Sequence, residues 1–246
     1  MVSFGARLNA ALGLLLAPIA WPQGLLVRHR TPSLPEAPGA RRGHIQGTGQ
    51  DFHLLGIGES PMAAVGLADQ QQALTVQLAG LIHAATNRPV QWRTLARGGV
   101  TARRTRTELL AELDQGPADL VVIALGVNDS LKINSARAWQ SDLEQLFDTL
   151  HDRIGAAPVV LTGVPDMGRF PALPPPLSIL LGTRARLLDQ AAAALAGRRS
   201  GTFHVPMPLD TAMESLFCRD GFHPSADGHR AWAEHLFAQL KDRVDF

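Results

Sequence analysis

Residues 51–60 read Asp51-Phe52-His53-Leu54-Leu55-Gly56-Ile57-Gly58-Glu59-Ser60, a short β-prone apolar run that ends in Gly-x-Gly and hands over to a carboxylate and a serine. Further runs of this kind stand at Val90–Leu95, Leu120–Leu125, Val159–Gly163 and Thr202–Val205. Between them lie stretches with helical spacing, roughly Asp69–Thr86, Thr101–Asp114, Ala136–Ile154 and Leu177–Ala196, with Ser225–Val244 closing the chain. Leu74, Leu78, Leu81 and Ile82 on the first, and Leu143, Leu146, Phe147 and Leu150 on the third, form the stripes of helices that pack on a sheet. Alternation of this kind predicts a parallel sheet covered on both faces, with ligands bound at the carboxyl ends of its strands.

Composition narrows the function classes. The chain has 246 residues, 46% of them apolar and 18% charged, which is ordinary globular usage. Lys+Arg number 23 against 22 Asp+Glu, a balance that leaves no electrostatic footprint for nucleic acid. A lone cysteine, Cys218, forms neither an internal disulfide nor a Cys-rich metal site.

Residues 1–50 differ from the rest, with five Arg and a single acid, Glu36. An apolar stretch from Leu8 to Trp21 follows Arg7, in the manner of a secretory signal or membrane anchor. It is broken by Asn9 and Pro18 and is shorter than the ~20 residues that span a bilayer, so a helix docked on the domain is the alternative. The segment predicts a cytoplasmic protein, or one weakly membrane-associated through residues 8–21, rather than an exported one. Residues 28–50, rich in Pro, Gly and Arg, read as a linker, which places the start of the compact domain at residue 51 and its end at 246.

The loops after the expected strands carry the chemistry. Ser60 ends the first run, Arg97-Gly98-Gly99-Val100-Thr101 follows the second and Gly126-Val127-Asn128-Asp129 the third, while Asp220-Gly221-Phe222-His223-Pro224 precedes the last helix. Each alone has a local explanation as a cap or turn. Together they supply an acyl-transfer site. A serine hydroxyl is a weak nucleophile and needs a neighbouring base. His223 is the candidate base, its ordinary pKa of ~6.5 suiting proton transfer near neutrality, and Asp220 its orienting partner. The backbone N–H groups of Ser60 and Gly99 and the side-chain amide of Asn128 are the candidate oxyanion donors. The histidines 223, 229 and 235 fall on different helix faces and no H-E-x-x-H occurs, so zinc hydrolysis is not expected.

These blocks resemble the SGNH (GDSL) hydrolases. Gly58-Glu59-Ser60 is similar to the family's first block, Gly99-Val100-Thr101 to its second, Gly126-Val127-Asn128-Asp129 to its third and Asp220-Gly221-Phe222-His223-Pro224 to its fifth, over about residues 51–240. The resemblance implies a flavodoxin-like three-layer α/β/α sandwich around a central parallel five-stranded sheet. It also implies a serine esterase acting on a small-molecule acyl ester or thioester, with no metal and no cofactor. An acyltransferase on the same residues and a non-catalytic binding module are the alternative readings. Two positions depart from the pattern: Glu59 stands where the first block has Asp, and no Asn lies between Thr94 and Gly98 ahead of the second block, which leaves Gly98 as an alternative to Gly99.

Overall fold

The computed structural model describes residues 4–114, 116–207 and 214–246, the side chains of residues 4–15 and 17 excepted. Its strands are β1 (Arg42–Ile45), β2 (Phe52–Gly58), β3 (Val90–Ala96), β4 (Leu120–Ala124), β5 (Val159–Thr162) and β6 (Thr202–Val205). Its helices are α1 (Phe4–Arg30), α2 (Leu74–Thr86), α3 (Ala102–Arg104), α4 (Val127–Leu131), α5 (Ala136–Ile154), α6 (Leu177–Ala196) and α7 (Ala226–Leu240). They form one six-stranded sheet of order β1-β3-β2-β4-β5-β6, parallel except that β1 runs antiparallel to β3.

Both faces of the sheet are buried at its centre, where β2, β4 and β5 are accordingly largely apolar, whereas β3 alternates buried with exposed or half-buried residues. Ile57, Ile123 and Leu161 pack on one face with Trp139, Leu143 and Phe147 of α5 and Ala185 and Leu188 of α6. Leu54, Val122 and Val160 pack on the other with Leu74 and Leu78 of α2 and Trp232 and Leu236 of α7. The result is a three-layer α/β/α sandwich. The five parallel strands take the order that places β2 beside both β3 and β4. Chain direction across the sheet reverses there, and the crevice at such a switch point is where open α/β sheets bind ligands.

Two expectations are corrected. The sheet has six strands and is mixed rather than five-stranded and parallel, because Arg42–Ile45, in the stretch read as linker, adds a strand to the free edge of β3. An edge strand needs one apolar side at most, and the sequence Arg-Gly-His-Ile carries no alternating apolar signal. Residues 34–41 are also fastened to the domain: Ala37 N–H donates to Ala64, Gly66 to Pro35 and Thr94 to Arg41. The second correction concerns the apolar stretch 8–21 as the reason to place the protein at a membrane. No helix among the described residues is long and apolar enough to cross one. α1 instead lies against α6, with Gln23 hydrogen-bonded to the Pro175 carbonyl and the Leu177 N–H.

The helical stretch Thr101–Asp114 is broken into α3, a wide turn over Thr105–Leu109 and a tight one over Leu110–Glu112. Ser135 and Ser225 cap α5 and α7 by accepting from the N–H groups of Ala138 and Gly228. The cap at Ser225 fixes where the loop carrying His223 meets α7.

Candidate active site

Strand β2 ends at Gly58, and the chain then turns sharply, with the Ala63 N–H donating to Glu59 and the Val65 N–H to Ser60. The turn leaves Ser60 at the carboxyl edge of the sheet. Among the described residues neither the Ser60 nor the Gly99 N–H has a protein acceptor, so both remain available to a ligand oxygen. Gly99 adopts φ +78°, a left-handed conformation that L side chains rarely take, with open space where a Cβ would stand. Gly126, at φ +126°, is held by sterics as well, since a Cβ there would come within 2.5 Å of Val164.

The loop 217–224 is closed by the Cys218 N–H donating to the His223 carbonyl at 2.7 Å. Within it Asp220 folds back on the residues that follow. One carboxylate oxygen accepts from the Phe222 and His223 N–H groups, both at 3.0 Å, and the other lies 2.6 Å from His223 Nδ1. Burial pushes the Asp220 carboxyl up, but these three hydrogen bonds together hold it below the usual carboxylate range. An ionised carboxylate only accepts, so Nδ1 carries the proton and Nε2 is left as an acceptor. The Asp220 side chain is fully buried and that of His223 is 19% exposed, so the imidazole has one shielded edge and one open edge.

Ser60, Gly98, Gly99, Asn128 and His223 border one open groove, beside Leu34 and Glu36 from the N-terminal arm. Ser60 and His223 also border a second, apolar chamber. The structure thus brings together Ser60, Gly99, Asn128 and His223, with Asp220 behind the histidine.

Three carboxylates that the sequence reading gave no such part organise this edge. Glu59, only 2% exposed, accepts from the Val127 and Asn128 N–H groups at 2.8 and 2.9 Å and from the Asn128 side-chain amide. Burial raises its pKa to about 7, against the pull of those donors. Asp129, fully buried, joins the two glycine loops by accepting from the Ala102 N–H and the Asn134 amide, and burial raises its pKa as well. Glu36 accepts from the Gly98 N–H at 2.8 Å and pairs with Arg41, which also reaches the Ala96 carbonyl. Its one sequence signal was its isolation, as the sole acid of the first 50 residues. Among the described residues no group of three or more His, Cys, Asp or Glu is placed to hold a metal ion.

A three-layer α/β/α sandwich with a serine and an Asp-paired histidine at its switch point defines a class of hydrolase-like proteins. Within it, a model of the GDSL-like Lipase/Acylhydrolase family matches residues 57–231, and the chain belongs to that family. The GDSL-like esterase Rv1075c of Mycobacterium tuberculosis is 30% identical over 203 residues, which are 79% of this chain and 63% of that protein. The chain therefore spans less than two thirds of the length of this curated relative. Among solved structures, TesA is similar at 26% identity and a TM-score of 0.59, over 77% of this chain and 98% of that one. The lipase/acylhydrolase from Enterococcus faecalis shares the fold at 24% identity and a TM-score of 0.57, over 79% and 97%.

Proposed function

We propose that the protein is a serine esterase that cleaves carboxylic esters or thioesters through Ser60, His223 and Asp220. The observation that carries this reading is the Asp220–His223 contact at 2.6 Å, which leaves Nε2 as an acceptor on the groove that Ser60 also borders. Ser60 Oγ attacks the acyl carbonyl carbon while its proton passes to His223 Nε2. The carbonyl π pair moves to oxygen, and that oxyanion is met by the Ser60 and Gly99 N–H groups and the Asn128 amide. Collapse of the tetrahedral intermediate breaks the bond to the alcohol or thiol, which leaves with the proton from His223. Water repeats the sequence on the acyl-enzyme and releases the acid, restoring Ser60.

The test is hydrolysis of p-nitrophenyl esters, together with labelling by a small fluorophosphonate, in the wild type, Ser60→Ala and His223→Ala. Loss of turnover in both variants and loss of labelling in Ser60→Ala is the expected result. Turnover that survives Ser60→Ala overturns the assignment.

A further inference from the structure

The helix that carries Asn128, α4, is five residues long, too short to hold its own shape. Few of its bonds are internal: the Ser130 N–H and hydroxyl donate to the Gly126 carbonyl at 2.9 and 2.8 Å, and the Lys132 N–H to that of Asn128 at 2.9 Å. The rest of its support comes from outside. Glu59 holds the amino end through the Val127 and Asn128 N–H groups, and the Asp129 side chain ties the middle to Ala102 and Asn134. The carboxyl end is held from α6. Arg184 Nε donates to the Ser130 carbonyl at 3.0 Å, and Nη2 of the same guanidinium donates to the Asn134 carbonyl.

Between those two carbonyls the chain reverses through Ile133, which adopts φ +57° with its side chain 67% exposed. A β-branched residue is strained in that left-handed conformation, and so exposed a side chain gains little burial to offset it. Such strain persists where the flanking residues are fixed. Asn134 is fixed three times over: its N–H donates to the Asp129 carbonyl at 3.2 Å, its amide to Asp129 Oδ1 at 2.8 Å, and its carbonyl accepts from Arg184. Arg184 is half-buried, burial lowers its pKa, and among the described residues no carboxylate pairs with it. Its fork is committed to main-chain carbonyls instead, one of them an orphan at the end of a helix, and holds two points at once.

We propose that Arg184 is a positioning residue for the oxyanion site: by tying the Ser130 and Asn134 carbonyls to α6 it fixes the carboxyl end of α4, and with Glu59 at the other end it sets where the Asn128 amide points. The inference rests on the serine esterase reading and adds to it a residue on a different helix, 54 positions from Ser130 in the chain. An oxyanion donor acts on charge that develops in the transition state, so a loosened Asn128 lowers kcat and leaves KM nearly unchanged.

Arg184→Met keeps the apolar stem and removes both donors. It is expected to lower kcat on a p-nitrophenyl ester by about tenfold, less than the 10²–10³ of a lost donor, with KM within about twofold of wild type. Arg184→Lys, which keeps a cation without the fork, is expected to fall between the two. In an Asn128→Ala background Arg184→Met is expected to change kcat by less than about twofold, since no donor is left to aim, whereas a merely structural role would cost the same in both backgrounds. Amide hydrogen exchange at Ser130 and Lys132 reads the hold on α4 without reference to activity and is expected to quicken by about tenfold in Arg184→Met, with the strands unchanged. Wild-type kcat or unchanged exchange in folded Arg184→Met, or a loss that persists in the Asn128→Ala background, overturns the assignment and leaves the serine reading standing. Should Arg184→Met not fold, Arg184→Lys in the same two backgrounds decides by the same criteria. A wild type that neither turns over ester nor takes a fluorophosphonate removes the serine reading, and the role of Arg184 in the reaction with it.

Discussion

The carboxylate of Glu59 caps the first turn of α4 from outside and holds the Asn128 side chain in the same grip. One oxygen takes the Val127 N–H and the other takes both the backbone and the side-chain N–H of Asn128. Gly126, the residue before the helix, has no side chain to cap it, so this remote glutamate does that work. An Asn amide carries two hydrogens, and with one committed to Glu59 the other is aimed by it. Removing a direct oxyanion donor costs about 10²–10³ in kcat, so Asn128→Ala is expected in that range, and Glu59→Ala, which only loosens the donor, at about ten- to a hundredfold. KM should change little in either. The double variant should be close to Asn128→Ala alone, since both changes act through one group; additive losses in a double-mutant cycle would separate the two residues.

Asp220 and His223 make a second prediction. Replacing the carboxylate by an amide puts an N–H₂ or a poorer acceptor against Nδ1 and favours the tautomer with its proton on Nε2, where the base needs a lone pair. Asp220→Asn is expected to lower kcat by roughly 10³–10⁴ while the fold persists, because the Phe222 and His223 N–H groups can still donate to the amide oxygen. Steady-state kinetics with circular dichroism as the control for folding checks it. Retention of more than a tenth of wild-type kcat would separate Asp220 from the proton transfer.

Much of this is legible in the sequence. β2, β4 and β5 are largely apolar runs, as strands buried on both faces must be, whereas β3 alternates buried with exposed or half-buried residues and is legible by that period of two. Asp220 and His223 are three residues apart in a glycine-containing turn, so their contact is local. What stayed hidden is long-range and polar. Glu36 reaches Gly98 across 62 residues and Glu59 reaches Asn128 across 69, and no periodicity encodes such pairings. The strand β1 was invisible because an edge strand with alternating exposed and half-buried residues has no apolar signature. Over Thr101–Asp114 the helical spacing persists in the sequence while the backbone changes winding at Thr105 and Leu110, which spacing does not encode.

The N-terminal arm provides the third prediction. Glu36 fixes the Gly98 N–H and lies beyond the region matched by the family model. Loss of its carboxylate frees the loop that presents the Gly99 N–H. Glu36→Ala is expected to reduce kcat by about tenfold, less than the loss of a donor itself. Stability should fall by only about 1 kcal/mol, as the pair with Arg41 is more than a third exposed. Parallel measurement of kcat and urea midpoint tests this, and a variant with a wild-type kcat and a shifted midpoint would make Glu36 a structural residue only. Truncation at residue 50 removes the arm and β1 together and should be more damaging to both quantities than the point change.

Two buried groups should give the folded state opposing pH dependences. Glu59 is raised from 4.5 to about 7, chiefly by burial, with Asp129 adding to the effect. Between those values the folded protein binds the proton and the unfolded chain does not, so Glu59 makes stability fall as pH rises from 4.5 through 7. His229, fully buried with neither ring nitrogen hydrogen-bonded among the described residues, is lowered from 6.5 to about 3, chiefly by burial and secondarily by His223. There the unfolded chain binds the extra proton, so His229 makes stability fall as pH drops from 6.5 to 3. Each unit of either window is worth about 1.4 kcal/mol, and between pH 4.5 and 6.5 the two slopes cancel. The wild type is therefore expected to show a nearly flat urea midpoint across that interval. His229→Phe should expose the glutamate slope, with stability decreasing toward pH 7, and Glu59→Gln the histidine slope, with stability increasing over the same range. Unfolding curves at pH 4.5, 5.5 and 6.5 decide it: slopes of the same sign in the two variants would mean that one of these groups is not titrating in the folded protein as its burial dictates.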